Sequence, residues 1–109
     1  MYIFNRDARA TMVSPQVSRK LLGNGGDLML VEVRFDRDGV GEPHSHDSHE
    51  QVSYIAQGSF RVTLGEEELT MKQGDSFYVE KNVTHGVVAL EDGSIIVDVF
   101  TPIRDEFLV

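Results

Sequence analysis

From residue 16 onward the chain alternates apolar and polar positions in short runs, each closed by a glycine or an acidic turn. The clearest run is "DLMLVEVRF" (27–35), where Leu28, Leu30, Glu32 and Arg34 face one way and Met29, Val31, Val33 and Phe35 the other. Successive side chains of a strand point to opposite faces, so a period of two marks a sheet with one buried side. "QVSRKLL" (16–22) precedes it and stops at "GNGG" (23–26), a strong break signal. "QVSYIA" (51–56) and "SFRVTLG" (59–65) flank Gly58, with Phe60, Val62 and Leu64 on one face. "ELTM" (68–71), "SFYVE" (76–80), "THGVVAL" (84–90) and "SIIVDVF" (94–100) follow, parted by Gly65-Glu66-Glu67, Gly74-Asp75 and Glu91-Asp92-Gly93. "DRDGVGEP" (36–43) reads as a loop, and "RDEFLV" (104–109) as at most one helical turn, too short to be stable alone. Short strands recurring about every 8–12 residues predict a small all-β antiparallel barrel. A length of 109 residues is that of one domain, 1–109.

Composition narrows the chemistry. Hydrophobic residues at 40% and charged residues at 26% fit a folded globular chain rather than a disordered one. There is no cysteine, which excludes a disulfide framework and a thiolate metal site. A metal would have to be held by imidazole, carboxylate or amide groups, a donor set suited to nickel, zinc, iron or manganese. The opening "MYIFNRDARA" carries charge within seven residues and has no apolar signal-peptide segment. No apolar run approaches the roughly 18 residues of a membrane span, so the expected location is the cytoplasm. A net charge of −8 argues against nucleic acid and anionic membranes as partners. An anionic small molecule would need a local positive site inside this negative envelope.

Three of the four histidines fall within six positions, in "PHSHDSHEQ" (43–51). His44 and His46 are two apart, so on extended backbone they share a face and form a two-ligand bite. Such a pair is common by chance and carries little alone. Gln51 or Glu50 opens the next strand and offers an oxygen, and His85 at the start of another strand offers a further imidazole. Three imidazoles and one oxygen leave a position free for water or substrate, as a catalytic site requires. His49 reads as a solvated loop histidine, with the mouth of a pocket as the alternative. Asp98 is the sole charge in an apolar strand and shares a face with Ile96 and Phe100. An inward carboxylate needs a partner or a shifted pKa, so by pattern alone a satisfied structural or solvent-facing Asp98 is the ordinary reading. Arg104, after Pro102, is either its partner or, on charge alone, a surface cation. Tyr54 and Tyr78 read as core or pocket-wall aromatics.

"GVGEPHSHDSHEQVSYIAQG" (39–58) and "GDSFYVEKNVTH" (74–85) resemble the two motifs of the cupin family. In the first, six residues separate Gln51 from Gly58, as the motif asks, and seven separate Glu50, which selects Gln51 as the oxygen ligand and leaves Glu50 pointing away. In the second, Gly74 and His85 match, while Glu80 and Asn82 stand where proline and glycine are usual, and Ala89 replaces a frequent asparagine. The tail "DVFTPIRDEFL" (98–108) is more specific: with "GDSFYVEKNVTHGVVALEDG" (74–93) it resembles the small cupins of pectin degradation, the KdgF group. That resemblance implies a jelly-roll barrel holding one divalent transition metal on His44, His46, Gln51 and His85. It implies opening of the ring of 4,5-unsaturated uronate monosaccharides to the linear keto-deoxyuronate, from pectin or alginate, with Asp98 and Arg104 acting on the sugar and Phe100 packing against it. Ser53, on the strand face of Gln51, is a candidate for a sugar hydrogen bond. The apolar "MYIF" and the two-sided "IIVDVF" point to a strand-exchanged homodimer. A metal-dependent dioxygenase, a non-catalytic sugar-binding cupin and a metal-free structural cupin are the alternatives, separable by oxygen uptake, turnover and metal content.

Overall fold

The computed structural model describes residues 1–107, whose strands are β1 (Ala10–Ser14), β2 (Val17–Gly25), β3 (Leu28–Phe35), β4 (Val40–His44), β5 (Glu50–Gln57), β6 (Ser59–Leu64), β7 (Glu67–Lys72), β8 (Ser76–Val79), β9 (His85–Ala89) and β10 (Ser94–Thr101). Short 3-10 turns cover Asn5–Asp7 and Asp105–Phe107. Six strands make one sheet in the order β1-β2-β3-β10-β5-β8, and four make a second in the order β4-β9-β6-β7. Every described pairing is antiparallel. No helix among the described residues is long and apolar enough to cross a membrane.

The inward positions of the alternating runs meet between the sheets. Val17, Phe35, Ile55 and Ile96 from the first sheet pack on Phe60, Val62 and Ala89 from the second. The rings of Phe35 and Phe60 join them edge to face, 5.0 Å apart. A second cluster, Met29, Val31 and Phe100, gathers Leu21, Ile103 and Phe107 at one end of the barrel. Each Val, Leu, Ile, Met or Phe side chain among these contributes roughly 1.5–3 kcal/mol on full burial. At Gly58 the chain turns from β5 to β6 with φ 75°, and a Cβ there would collide with the Ser94 side chain. Only glycine meets both demands cheaply.

Four details depart from the alternation pattern, each for a local reason. The break expected at 23–26 lies inside β2, because the β2–β3 register slips between Leu21 and Asn24 and resumes at Asn24 opposite Met29. β4 forms where a loop was expected. It is an edge strand paired only with β9, so little hydrophobic signal is required of it. β1 is likewise an edge strand with no buried residue and no legible alternation. Tyr54 and Tyr78 are 47% and 49% exposed on the outer face, since they alternate with inward Ser53, Ile55, Phe77 and Val79. In "RDEFLV" the turn is Asp105–Phe107, and Leu108 and Val109 lie outside the described residues.

Candidate metal centre and its cavity

His44 and His85 stand opposite each other on β4 and β9, their ring centres 4.3 Å apart. A bulge between Gly41 and His44 shifts the register at that point, and such bulges re-aim side chains at barrel rims. Gly86 permits the approach of the strands, because a Cβ there would lie 3.0 Å from Pro43 Cα and 3.1 Å from the Gly41 carbonyl. His46 lies just past the end of β4, 4.7 Å from the His44 ring and 5.2 Å from that of His85. Its carbonyl accepts a 2.6 Å hydrogen bond from the Asn82 N–H. Asn82 has φ 67°, a left-handed conformation that asparagine tolerates. This accounts for asparagine where cupins usually carry glycine.

The potential ligand atoms of His44, His46 and His85 all lie within 4.8 Å of one another. Nδ1 of His44 faces the Glu42 carbonyl at 2.7 Å and Nδ1 of His85 faces that of Val83 at 3.1 Å. These carbonyls can only accept, so each ring carries its proton on Nδ1 and keeps a lone pair on Nε2. Burial, with the nearby Arg104 and the other histidines, lowers the His46 pKa to about 4. Burial also lowers that of His85, against a raising hydrogen bond to Val83. Both rings are therefore neutral at pH 7, the state a metal needs.

Gln51 is the remaining candidate ligand. Its Nε2 donates to Ser53 Oγ at 2.9 Å and to Asp98 Oδ1 at 3.3 Å, leaving Oε1 free. That oxygen and the Nε2 atoms of His46 and His85 are buried without hydrogen-bond partners. An unsatisfied buried polar atom costs about 1–3 kcal/mol. Two imidazole nitrogens left so within one cluster of three histidines fit a cation. Glu50 instead accepts from the Tyr78 hydroxyl, away from the histidines.

A cavity of about 630 Å³ opens beside this cluster, lined among others by His44, Gln51, His85, Asp98, Phe100 and Arg104. Asp98 faces Ser53 across β10 and β5, and Ser53 Oγ donates to its Oδ1 at 2.6 Å. Burial raises the Asp98 pKa to about 6, overriding the lowering by Ser53, Arg104 and Gln51. Phe100 is buried opposite Gln51, its ring 6.3 Å from that of His46. Arg104 is only 16% exposed: its Nε and Nη2 donate to Glu106 at 2.8 and 2.7 Å, and its guanidinium carbon lies 5.1 Å from the Phe100 ring centre. It is thus a wall of the cavity, where charge alone suggested a surface cation.

Two expectations change. Ser53 is fully buried and its hydroxyl is given to Asp98, which puts it behind the carboxylate instead of against a sugar. His49 is half-buried, and its Nε2 meets the Ile103 carbonyl at 3.1 Å, tying the histidine loop to the tail. The sequence reading missed Arg19 and Phe107, which also line the cavity. Arg19 alternates with Val17 and Leu21, a signal that was available, whereas Phe107 had none.

Three histidines whose ligand atoms lie within 4.8 Å of one another inside a two-sheet antiparallel barrel fit the cupin class, and residues 31–100 match the Cupin domain family. The chain is 45% identical over 92 residues to the pectin degradation protein KdgF of Dickeya dadantii (strain 3937), spanning 84% of each. It superposes on the structure of KdgF from Halomonas sp. with a TM-score of 0.94 at 40% identity, covering 97% of this chain and 96% of that one. An RmlC-like cupin from Shewanella frigidimarina gives a TM-score of 0.91 at 34% identity, with coverage of 97% and 94%. The chain belongs to the cupin family and, within it, to the KdgF group.

Proposed function

We propose that this chain, as one cupin domain over residues 1–109, opens the ring of 4,5-unsaturated uronate monosaccharides to the linear keto-deoxyuronate in the catabolism of pectin or alginate. The name of the relative, a pectin degradation protein, supports the substrate class. The observation that carries the chemistry is that Asp98, with a pKa near 6, and Arg104 line the same cavity as His44, Gln51 and His85.

Nε2 of His44, His46 and His85 and Oε1 of Gln51 would hold one divalent ion of nickel, zinc, iron or manganese. Such an ion, when bound, supplies Lewis-acid polarisation of substrate oxygens. Asp98 takes the proton of the C1 hydroxyl. C1 becomes an aldehyde as its bond to the ring oxygen breaks, and that oxygen stays on C5 as an enolate. The proton is then returned at C4, giving the C5 ketone with no net gain or loss of atoms. A carboxyl group with a pKa near working pH suits both transfers. Arg104 holds the sugar carboxylate, and Phe100 packs against the ring. Gln51 adds no negative charge, which favours an anionic sugar inside an acidic molecule. Ser53 orients Asp98.

The expected partners are the sugar acid and a second copy of the chain, in the cytoplasm. The exposed Met1, Tyr2, Phe4, Val52, Tyr54 and Tyr78 support a homodimer. The test is the loss of ultraviolet absorbance of unsaturated galacturonate, corrected for spontaneous opening, with and without chelator. Acceleration that chelator abolishes supports the reading. A metal-loaded protein that does not accelerate the loss refutes it.

A further inference from the structure

Arg19 points inward from a strand that otherwise feeds the core. On β2 it lies between Val17 and Leu21 of the same face and opposite Val33 of β3. An inward cation is costly unless something answers its charge. No carboxylate of the described residues lies within 4 Å of it. Its guanidinium carbon instead sits 4.3 Å from the centre of the Phe107 ring. Arg104 contacts the same ring at 4.2 Å, so one aromatic side chain carries two guanidinium groups. All three residues line the cavity that holds Asp98.

The charges divide unevenly. Glu106 takes Nε and Nη2 of Arg104 through one oxygen, offsetting much of that positive charge. A guanidinium has five N–H donors, so the remaining three stay available to a ligand. Among the described residues, Arg19 is thus the cavity arginine without a carboxylate partner. Phe107 fixes where Arg104 can lie, since its ring and that of Phe100 both contact the guanidinium, 4.2 and 5.1 Å from their centres.

We infer that Arg19 and Phe107 belong to the sugar-acid recognition machinery: Phe107 is a positioning residue for Arg104, and Arg19 supplies a second positive charge that draws in the carboxylate. This rests on the reading of Arg104 as the carboxylate-binding group.

The test compares R19Q, R19K, F107L and R104Q with the unaltered protein, at full metal content and after a check of folding by circular dichroism. Two readouts are used: KM and kcat for unsaturated galacturonate, and calorimetric titration with saturated D-galacturonate, which needs no turnover. Leucine in place of Phe107 keeps the bulk and removes the aromatic face. R19Q and F107L are expected to raise KM and weaken galacturonate binding about tenfold, with the smaller part of the effect on kcat, and R19K to recover part of the R19Q loss. R19Q and F107L within twofold of the unaltered protein, beside an R104Q that binds weakly, would overturn the inference and keep Arg104 in its role. An R104Q that binds galacturonate normally would overturn the Arg104 reading and the inference with it. If no variant turns over, the titrations alone decide, by the same limits.

Discussion

Gln51 donates to Asp98 across the β5–β10 ladder, its Nε2 3.3 Å from Oδ1, while its own Oε1 is buried without a hydrogen-bond partner. In the proposed site one amide thereby links the cation to the acid. Its donor end steadies the carboxylate, and its acceptor end is the proposed oxygen ligand.

Replacing Asp98 by asparagine keeps the acceptor oxygen for Ser53 and Gln51 and removes the exchangeable proton. The rate of uronate ring opening should fall about 10²–10⁴-fold, the range for loss of a general acid–base group. Metal content, measured by elemental analysis, should not change. Full activity with metal bound would refute the role of Asp98.

Gln51→Glu puts a second carboxylate beside Asp98 and removes an N–H donor. Metal retention against a chelator should improve, because an anionic ligand binds a cation more strongly. The KM for an anionic sugar should rise, because the pocket loses a unit of positive charge. The like charge should raise the Asp98 pKa further, moving the acidic limb of the rate profile to higher pH. Kinetics from about pH 5 to 9, spanning the shifted carboxyl and beyond, check the last two, and an unchanged KM would count against charge as the purpose of the amide.

The Asp98 pKa, raised from its ordinary 3.8 to about 6, makes a prediction about the metal-free protein. A raised folded-state pKa contributes stability that is fully present below about pH 4 and lost as pH rises through about 6. The shift corresponds to up to about 3 kcal/mol at about 1.4 kcal/mol per pKa unit. The asparagine of Asp98→Asn does not titrate, so the Tm of that variant minus that of the unaltered protein should grow from about pH 4 to about 7 and then level off. His46, with its pKa lowered from 6.5 to about 4, loses stability as pH falls through that range, but equally in both proteins, so the difference cancels it. A Tm difference that is flat with pH would show Asp98 to be unperturbed.

Gly86→Ala tests the close approach of β4 and β9. The added methyl would press on Pro43 and Gly41, at a cost of about 1–3 kcal/mol. Because His44 and His85 sit on those two strands, metal affinity should fall together with Tm. Chelator titration beside thermal unfolding measures both, and a variant that loses neither would show that the strands have room to spare.

The strands of the inner barrel were legible because a period of two requires no partner to be seen. Gln51, Ser53 and Ile55 on β5, and Ile96, Asp98 and Phe100 on β10, fall on one face by counting alone, and the register sets them opposite one another. The edges β1 and β4 were not legible, since an edge strand buries little. Nor did counting reveal the end of the barrel. Whether Arg104 faces water or a cavity depends on Phe100, Phe107 and Glu106, and Arg19 reaches Phe107 from the other end of the chain.

Alternation, turn residues and histidine spacing were local properties, so the chain alone specified an antiparallel barrel, three histidines with Gln51 or Glu50 as ligand candidates, and Asp98 as the one charge in its strand. The tautomers of His44 and His85, the direction of the Gln51 amide, the displacement of Ser53 from ligand to support and the two cations on one ring came only from folding. Each depends on groups far apart in sequence whose relative positions the sheets set, and the energy of a polar contact depends on that geometry.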